Sequence, residues 1–134
     1  MGQQRLRRRA TIVVINDDTP FLELMEELLE SEGYNVHVRK EWKDAYEFVK
    51  EREPDLVILD IILGHEERGW NILELLTLDP RTDRIPVIVC SAAVTSLQEH
   101  AHLLEKHGVR ALPKPFDLND LLRAVQEALA GSAP

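Results

Sequence analysis

The chain has 134 residues, 44% of them apolar, which is enough for one well-packed core and too little for two separate domains. Its 24 acidic against 16 basic side chains leave a net charge of −8, which argues against attraction to nucleic acid or to an anionic membrane surface. The single cysteine, Cys90, cannot form an internal disulfide; it lies inside an apolar run, reads as a small core residue, and points to the reducing cytoplasm.

Residues 1–10, with Arg5, Arg7, Arg8 and Arg9, read as a basic, disordered tail. The apolar run behind them is broken by Asp17 and Asp18, so it is no secretory signal, and no run approaches the ~20 residues of a membrane span. Residues 11–16 form a β-branched stretch without polar interruption, as expected of a parallel strand covered on both faces. Thr19 suits an N-cap and Pro20 the first helical turn, and Phe21, Leu24, Met25, Leu28 and Leu29 keep one apolar face until Gly33.

Residues 34–39 alternate like a more exposed strand, and 41–52 carry a helical stripe of Ala45, Phe48 and Val49 closed by Pro54. A third strand spans 55–60, followed by a Gly-bounded loop and a helix with Ile72, Leu73, Leu75 and Leu76; a fourth strand spans 85–90. Thr95 with Gln98 makes a capping-box signature for one helix running towards Gly108, with Leu97, Ala101 and Leu104 inward. A short strand at 109–112 precedes a last helix capped by Asp117, whose buried stripe is Leu118, Leu121, Leu122, Val125 and Leu129; residues 131–134 read as a disordered tail. Five β/α units imply a parallel sheet with right-handed crossovers and helices on both faces, its functional crevice beyond the carboxyl ends of the strands.

Polar residues collect at those ends: Asp17 and Asp18 after the first strand, Asp60 after the third, Ser91 after the fourth and Lys114 after the fifth. Two like charges ~4 Å apart repel by about 4 kcal/mol at an effective dielectric near 20, so three carboxylates in one place call for a cation. Oxygen donors without nitrogen or sulfur suit Mg²⁺, and a carboxylate such as Asp60 can take a phosphoryl group as a mixed anhydride. Taken singly, each residue has a bland explanation. Asp17 and Asp18 precede a helix whose dipole favours negative charge, Asp60 could end a strand, Ser91 could bond its own backbone, and Lys114 could be a surface lysine. The five histidines form no ligand pair; His100 and His102 are two apart on a helix and face different ways, and His65 reads as a solvated loop residue. Trp42 and Trp70 read as packing residues.

Four patches carry a family resemblance. They are Asn16 to Pro20 with the acidic pair, Leu59 to Leu63 around Asp60, Cys90 to Ala92 around Ser91, and Lys114 to Phe116. In this order, over residues 11 to about 130, they resemble the receiver domain of two-component response regulators. The resemblance implies a flavodoxin-like, doubly wound five-stranded parallel sheet in the order 2-1-3-4-5. It implies Asp60 as phosphoacceptor, Asp18 and Asp60 as direct Mg²⁺ ligands, Asp17 acting mainly through water, and the Ile62 main-chain carbonyl as a further ligand. Lys114, before a cis Lys114–Pro115 bond, would pair with the phosphoryl oxygens, and Ser91 would hydrogen-bond the phosphoryl group once present. The implied partners are a sensor histidine kinase or histidine phosphotransfer protein and a downstream protein target. No direct nucleic-acid binding and no membrane insertion are expected, and the last two helices offer a surface for a homodimer. The chain would be no enzyme beyond assisting its own modification, either a stand-alone receiver or a piece of a larger protein.

Three departures qualify this picture. Ala111 stands where such domains carry an aromatic residue, three positions before the lysine, which leaves room for a constitutive interaction module without phosphoryl turnover. Gly64 stands where proline is frequent, and residues 65–68 lengthen that loop by about one residue. Ile62 and Ala93 offer no side chain to position water, so slow loss of the phosphoryl group is expected. A phosphohydrolase of the haloacid-dehalogenase type is disfavoured, because it places a second acid two residues after the nucleophile, where Ile62 stands.

Overall fold

A computed structural model describes residues 9–131. Its elements in chain order are β1 (Thr11–Ile15), α1 (Thr19–Ser31), β2 (Asn35–Arg39), α2 (Ala45–Arg52), β3 (Leu56–Asp60), α3 (Gly69–Leu78), β4 (Val87–Ser91), α4 (Val94–Glu99), α5 (Ala101–Lys106), β5 (Arg110–Pro113) and α6 (Leu118–Gly131). The strands form one parallel sheet in the order β2-β1-β3-β4-β5. This is the flavodoxin-like arrangement implied by the resemblance.

Strand alternation divides the core in two. Val13, Ile15, Val57, Leu59, Val87 and Val89 face α2 to α5, while Ile12, Val14, Leu56, Ile58, Ile88 and Cys90 face α1 and α6. β3 and β4 are buried along their whole length, so their runs lack the polar alternation of a one-sided strand. Full burial of each Leu, Ile or Val contributes about 1.5–3 kcal/mol, and the central strands therefore anchor whatever sits at their ends. Cys90 is packed here as expected, its thiol pushed up to about 12 by burial. Trp70 is buried and Trp42 packs against the same core, both as packing residues.

Several boundaries moved. Asp18, one residue earlier than expected, is the cap residue of α1, and Gly33 follows its end with φ +94, a backbone region glycine tolerates best. Thr95 does not cap: it lies inside α4, behind Ala93. The expected single helix from Thr95 towards Gly108 is broken at His100, whose Nδ1 lies 2.8 Å from the Ser96 carbonyl while its ring stacks on Trp70 at 3.8 Å. That local contact competes with the helical ladder. Asp117 caps α6 as expected, accepting the Asn119 N–H at 2.7 Å, and Gly131 still belongs to that helix. Ala10 accepts the Asn35 N–H at 2.9 Å; the rest of the two expected tails lies outside the described residues, Arg9 and Gly131 apart.

The turn between α3 and β4 is clamped to α2. The Tyr46 hydroxyl donates to Asp79, Lys50 lies 3.3 Å away, and the Arg81 N–H donates to Asp79 at 2.9 Å. These groups, Tyr46 first, hold the Asp79 carboxyl at about 2. A folded carboxyl below its unfolded value of about 3.9 adds stability above that value and loses it as pH falls through about 2. Asp79→Asn is therefore expected to lower the melting temperature at pH 7. The gap to wild type should narrow as pH drops from about 4 to about 2, as followed by thermal denaturation.

Candidate functional site

Sheet register builds the site. Ile15 pairs with Leu59, so the next rung brings Asn16 beside Asp60; Asp60 in turn pairs with Cys90, and Ser91 with Pro113, one residue before Lys114. The carboxyl ends of β1, β3, β4 and β5 thus converge beyond the point where strand order reverses between β1 and β3.

Asp60 is only 6% exposed, which matters because a buried carboxylate needs partners. It has three. Lys114 Nζ donates to Oδ2 at 2.7 Å, Asn16 Nδ2 donates to the same oxygen at 2.9 Å, and the Ile62 N–H donates to Oδ1 at 3.1 Å. Lys114 is itself positioned by its N–H, which donates to the Ser91 carbonyl at 2.9 Å, and its peptide bond to Pro115 is cis, as the resemblance implied. A surface lysine is thereby ruled out.

Neither acid of the pair caps α1 through its carboxylate. Asp18 holds the cap position of α1 without a side-chain hydrogen bond to the helix, and among the described residues its carboxylate has no ion pair either. Its N–H instead donates to Asn16 Oδ1 at 2.9 Å. Asp17 Oδ2 accepts the Gly64 N–H at 2.8 Å. This bond accounts for the glycine where proline is frequent. Leu63 and Glu66 exchange backbone hydrogen bonds around Gly64 and His65, both at positive φ (+62 and +68), so position 64 needs both a left-handed backbone and an N–H, neither of which proline supplies.

Ser91 makes a local bond to the backbone after β4. It is fully buried and its Oγ accepts the Ala93 N–H at 3.0 Å; among the described residues the hydroxyl has no hydrogen bond to the Asp60 or Lys114 side chain. The sequence reading gave Asn16 no role of its own, placing it at the end of a strand and at the head of the patch that carries the acidic pair. The signal was a polar residue closing an apolar run, but its partner lies 44 residues away and emerges only from register.

Two features flank the site. An open apolar groove of about 480 Å³ runs beside Lys114 between α1 and the start of α6, lined by Phe21, Leu24, Pro115, Phe116 and Leu118. On the other side, Glu67 accepts from the Trp70 indole N–H at 3.0 Å and from the Ser96 hydroxyl, which also accepts from Trp70 at 2.9 Å. Ser96, then Trp70, and more weakly His100, hold the Glu67 carboxyl below the usual range. The loop after Asp60 is thereby tied to α4 while Ala111 lies exposed on β5.

A family model described as response regulator receiver domain matches residues 12–126, and the chain belongs to this family, whose members act in two-component systems. It is 33% identical over 121 residues to the DNA-binding transcriptional regulator NtrC of Bradyrhizobium sp. (strain RP501 Parasponia), covering 90% of this chain and 24% of that protein. It is 30% identical over 119 residues to the transcriptional regulatory protein ZraR of Escherichia coli O157:H7, covering 89% and 26%. The chain spans about a quarter of the length of these curated relatives. Among solved structures, a sensor protein from Polaromonas sp. JS666 superposes with TM-score 0.82 at 26% identity, covering 94% of this chain and 100% of that one. The receiver domain of a sensor histidine kinase from Pseudomonas aeruginosa PAO1, with a magnesium ion coordinated in its active site cleft, shares the fold with TM-score 0.76 at 22% identity, covering 92% and 99%.

The donor chemistry here fits a hard divalent cation: carboxylates follow the adjacent strands β1 and β3, and that of Asp18 has no ion pair among the described residues. Among the described residues, no three acidic, histidine or cysteine side chains are already drawn together as a cluster, since Asp17 and Asp60 are held by other partners.

Gly69 backs the whole arrangement. Its N–H donates to the Ile61 carbonyl at 2.9 Å, and a Cβ there would stand 2.5 Å from both the Asp60 carbonyl oxygen and Ile61 Cα. Backbone cannot yield as a flexible side chain does. Gly69→Ala is expected to destabilise the fold by about 1–3 kcal/mol, read by urea denaturation, and to shift the Asp60 backbone amide in an NMR spectrum.

Proposed function

We propose that the chain accepts a phosphoryl group on Asp60 from a phosphohistidine of a sensor kinase or phosphotransfer protein, and that this changes which protein partner it binds. An Asp60 oxygen bonds to phosphorus as the P–N bond breaks; the electron pair stays on the donor imidazole nitrogen, which then takes a proton from solvent. Asp18 and Asp60, with Asp17 and the Ile62 carbonyl, would hold Mg²⁺. When bound, that ion would neutralise the negative charge gathered between carboxylates and phosphoryl oxygens.

The observation that carries this reading is the buried Asp60 carboxylate with the Lys114 ammonium 2.7 Å from it. The pair keeps the nucleophile oriented, and the ammonium stands within reach of the incoming phosphoryl oxygens as a point charge. The magnesium named with the Pseudomonas receiver supports the same choice of ion. The constitutive-module alternative has only Ala111 in its favour and finds no support in the intact set of Asp17, Asp18, Asp60 and Lys114.

Incubation with acetyl phosphate and Mg²⁺ followed by intact mass is the direct test. One phosphoryl adduct is expected on wild type and none on Asp60→Asn; an unmodified wild type would sink the reading.

The groove beside Lys114 supports docking of the phosphodonor. Leu24 and Leu118 are 43% and 39% exposed, large apolar side chains that line the same groove as Lys114. Leu24→Glu is expected to slow transfer from a phosphohistidine protein by about tenfold or more, the cost of charging the middle of a small interface. The acetyl phosphate reaction, which needs no protein docking, should stay at the wild-type rate; equal loss in both assays would place the defect elsewhere.

A further inference from the structure

Among the described residues, Asn16 is the one uncharged side chain that bonds the Asp60 carboxylate. It is 2% exposed, so its amide has no water to turn to, and both ends are used: Nδ2 donates to Asp60 Oδ2 at 2.9 Å and Oδ1 accepts the Asp18 N–H at 2.9 Å. That second bond fixes which end faces Asp60, because only the NH₂ can serve a carboxylate. The amide cannot ionise and is locked in register by the rung next to Ile15 and Leu59.

We infer that Asn16 stabilises the carboxylate that Asp60 becomes when it releases its phosphoryl group, and so shortens the life of the phosphorylated form. This rests on the phosphoacceptor reading of Asp60. In hydrolysis a water oxygen bonds to phosphorus, the bond from phosphorus to the Asp60 oxygen breaks with its electron pair going to the carboxylate, and the water proton leaves with inorganic phosphate. The phosphorylated side chain is a neutral acyl group at the carbon end, whereas the departing carboxylate carries a full charge shared by both oxygens. A hydrogen bond to either oxygen therefore strengthens as the bond breaks, in line with the roughly doubled strength of bonds to charged acceptors. Because the transition state is loose, most of that charge has already arrived when the barrier is crossed.

The same looseness makes the effect one-sided. In phosphorylation, Asp60 starts charged and is still nearly charged at the barrier, so Asn16 gains or loses little there. Ile62 and Ala93 bring no polar side chain to hold the attacking water, which leaves the departing carboxylate as the side of the reaction this chain has equipped.

The test compares wild type with Asn16→Leu and Asn16→Ala, two uncharged variants that have no N–H to donate, one close in size and one smaller. Each is phosphorylated with acetyl phosphate, freed of the reagent, and followed by intact mass at two saturating Mg²⁺ concentrations, so that altered metal affinity drops out. Both variants are expected to lose the phosphoryl group about three- to tenfold more slowly, the decay being slowed by a clearly larger factor than the initial phosphorylation. A mere packing role would instead loosen the site and change both rates together. Unchanged or faster decay in both variants overturns the inference. So does failure of both to take up the phosphoryl group while wild type does, which would make Asn16 a requirement for acceptance. No adduct on wild type sinks the phosphoacceptor reading itself, and the role of Asn16 with it.

Discussion

A carboxylate held almost out of water at the end of a fully buried strand is the constraint around which this molecule is arranged. Asp60 would be costly to bury alone, and burial is tolerable because an ammonium, an amide and a main-chain N–H all converge on it. Those three donors come from β1, from the segment after β5 and from the loop that follows Asp60, so the site exists only when the sheet is in register. Core packing and site geometry are in this sense one problem. The apolar rungs of β1, β3 and β4 set the register, and the register sets the polar contacts one residue beyond.

The loops at this end are built for the same task. The turn at Gly64 and His65 brings an N–H to Asp17, and the tight approach of Gly69 to Asp60 and Ile61 admits no side chain. Beyond Gly69, the indole of Trp70 reaches across to α4, where Ser96 and Glu67 share its proton and His100 stacks on its ring. This cluster links the loop after Asp60 to the break between α4 and α5, in a chain whose β5 carries Ala111 at the position usually aromatic. On the phosphoacceptor reading, the Ser91 hydroxyl, which now accepts the Ala93 N–H at the threshold of α4, keeps its own O–H to donate.

Much of this was legible beforehand. The uninterrupted apolar runs of β1, β3 and β4 can only be strands buried on both faces, and strands alternating with amphipathic helices allow few other folds. Asp17, Asp18, Asp60 and Lys114 stood out because charge at the end of a buried strand is expensive without a purpose. What failed was mostly local and competitive. Thr95 and Gln98 have the spacing of a capping box, yet the helix starts earlier and is interrupted at His100, whose ring stacks on Trp70, a long-range contact that no window around residue 95 contains.

The sequence by itself determined the strand and helix order, the two-faced core and the identity of the charged residues, since each follows from periodicity and composition over a few residues. Only the tertiary structure decided that Asn16 meets Asp60, that Asp17 faces the Gly64 N–H instead of its own helix, and that Ser91 bonds locally. The first two pairings join segments far apart in the chain and depend on the relative shift of β1 and β3. A one-residue slip, nearly invisible in the pattern of either strand, would turn Asn16 away from Asp60 to the opposite face.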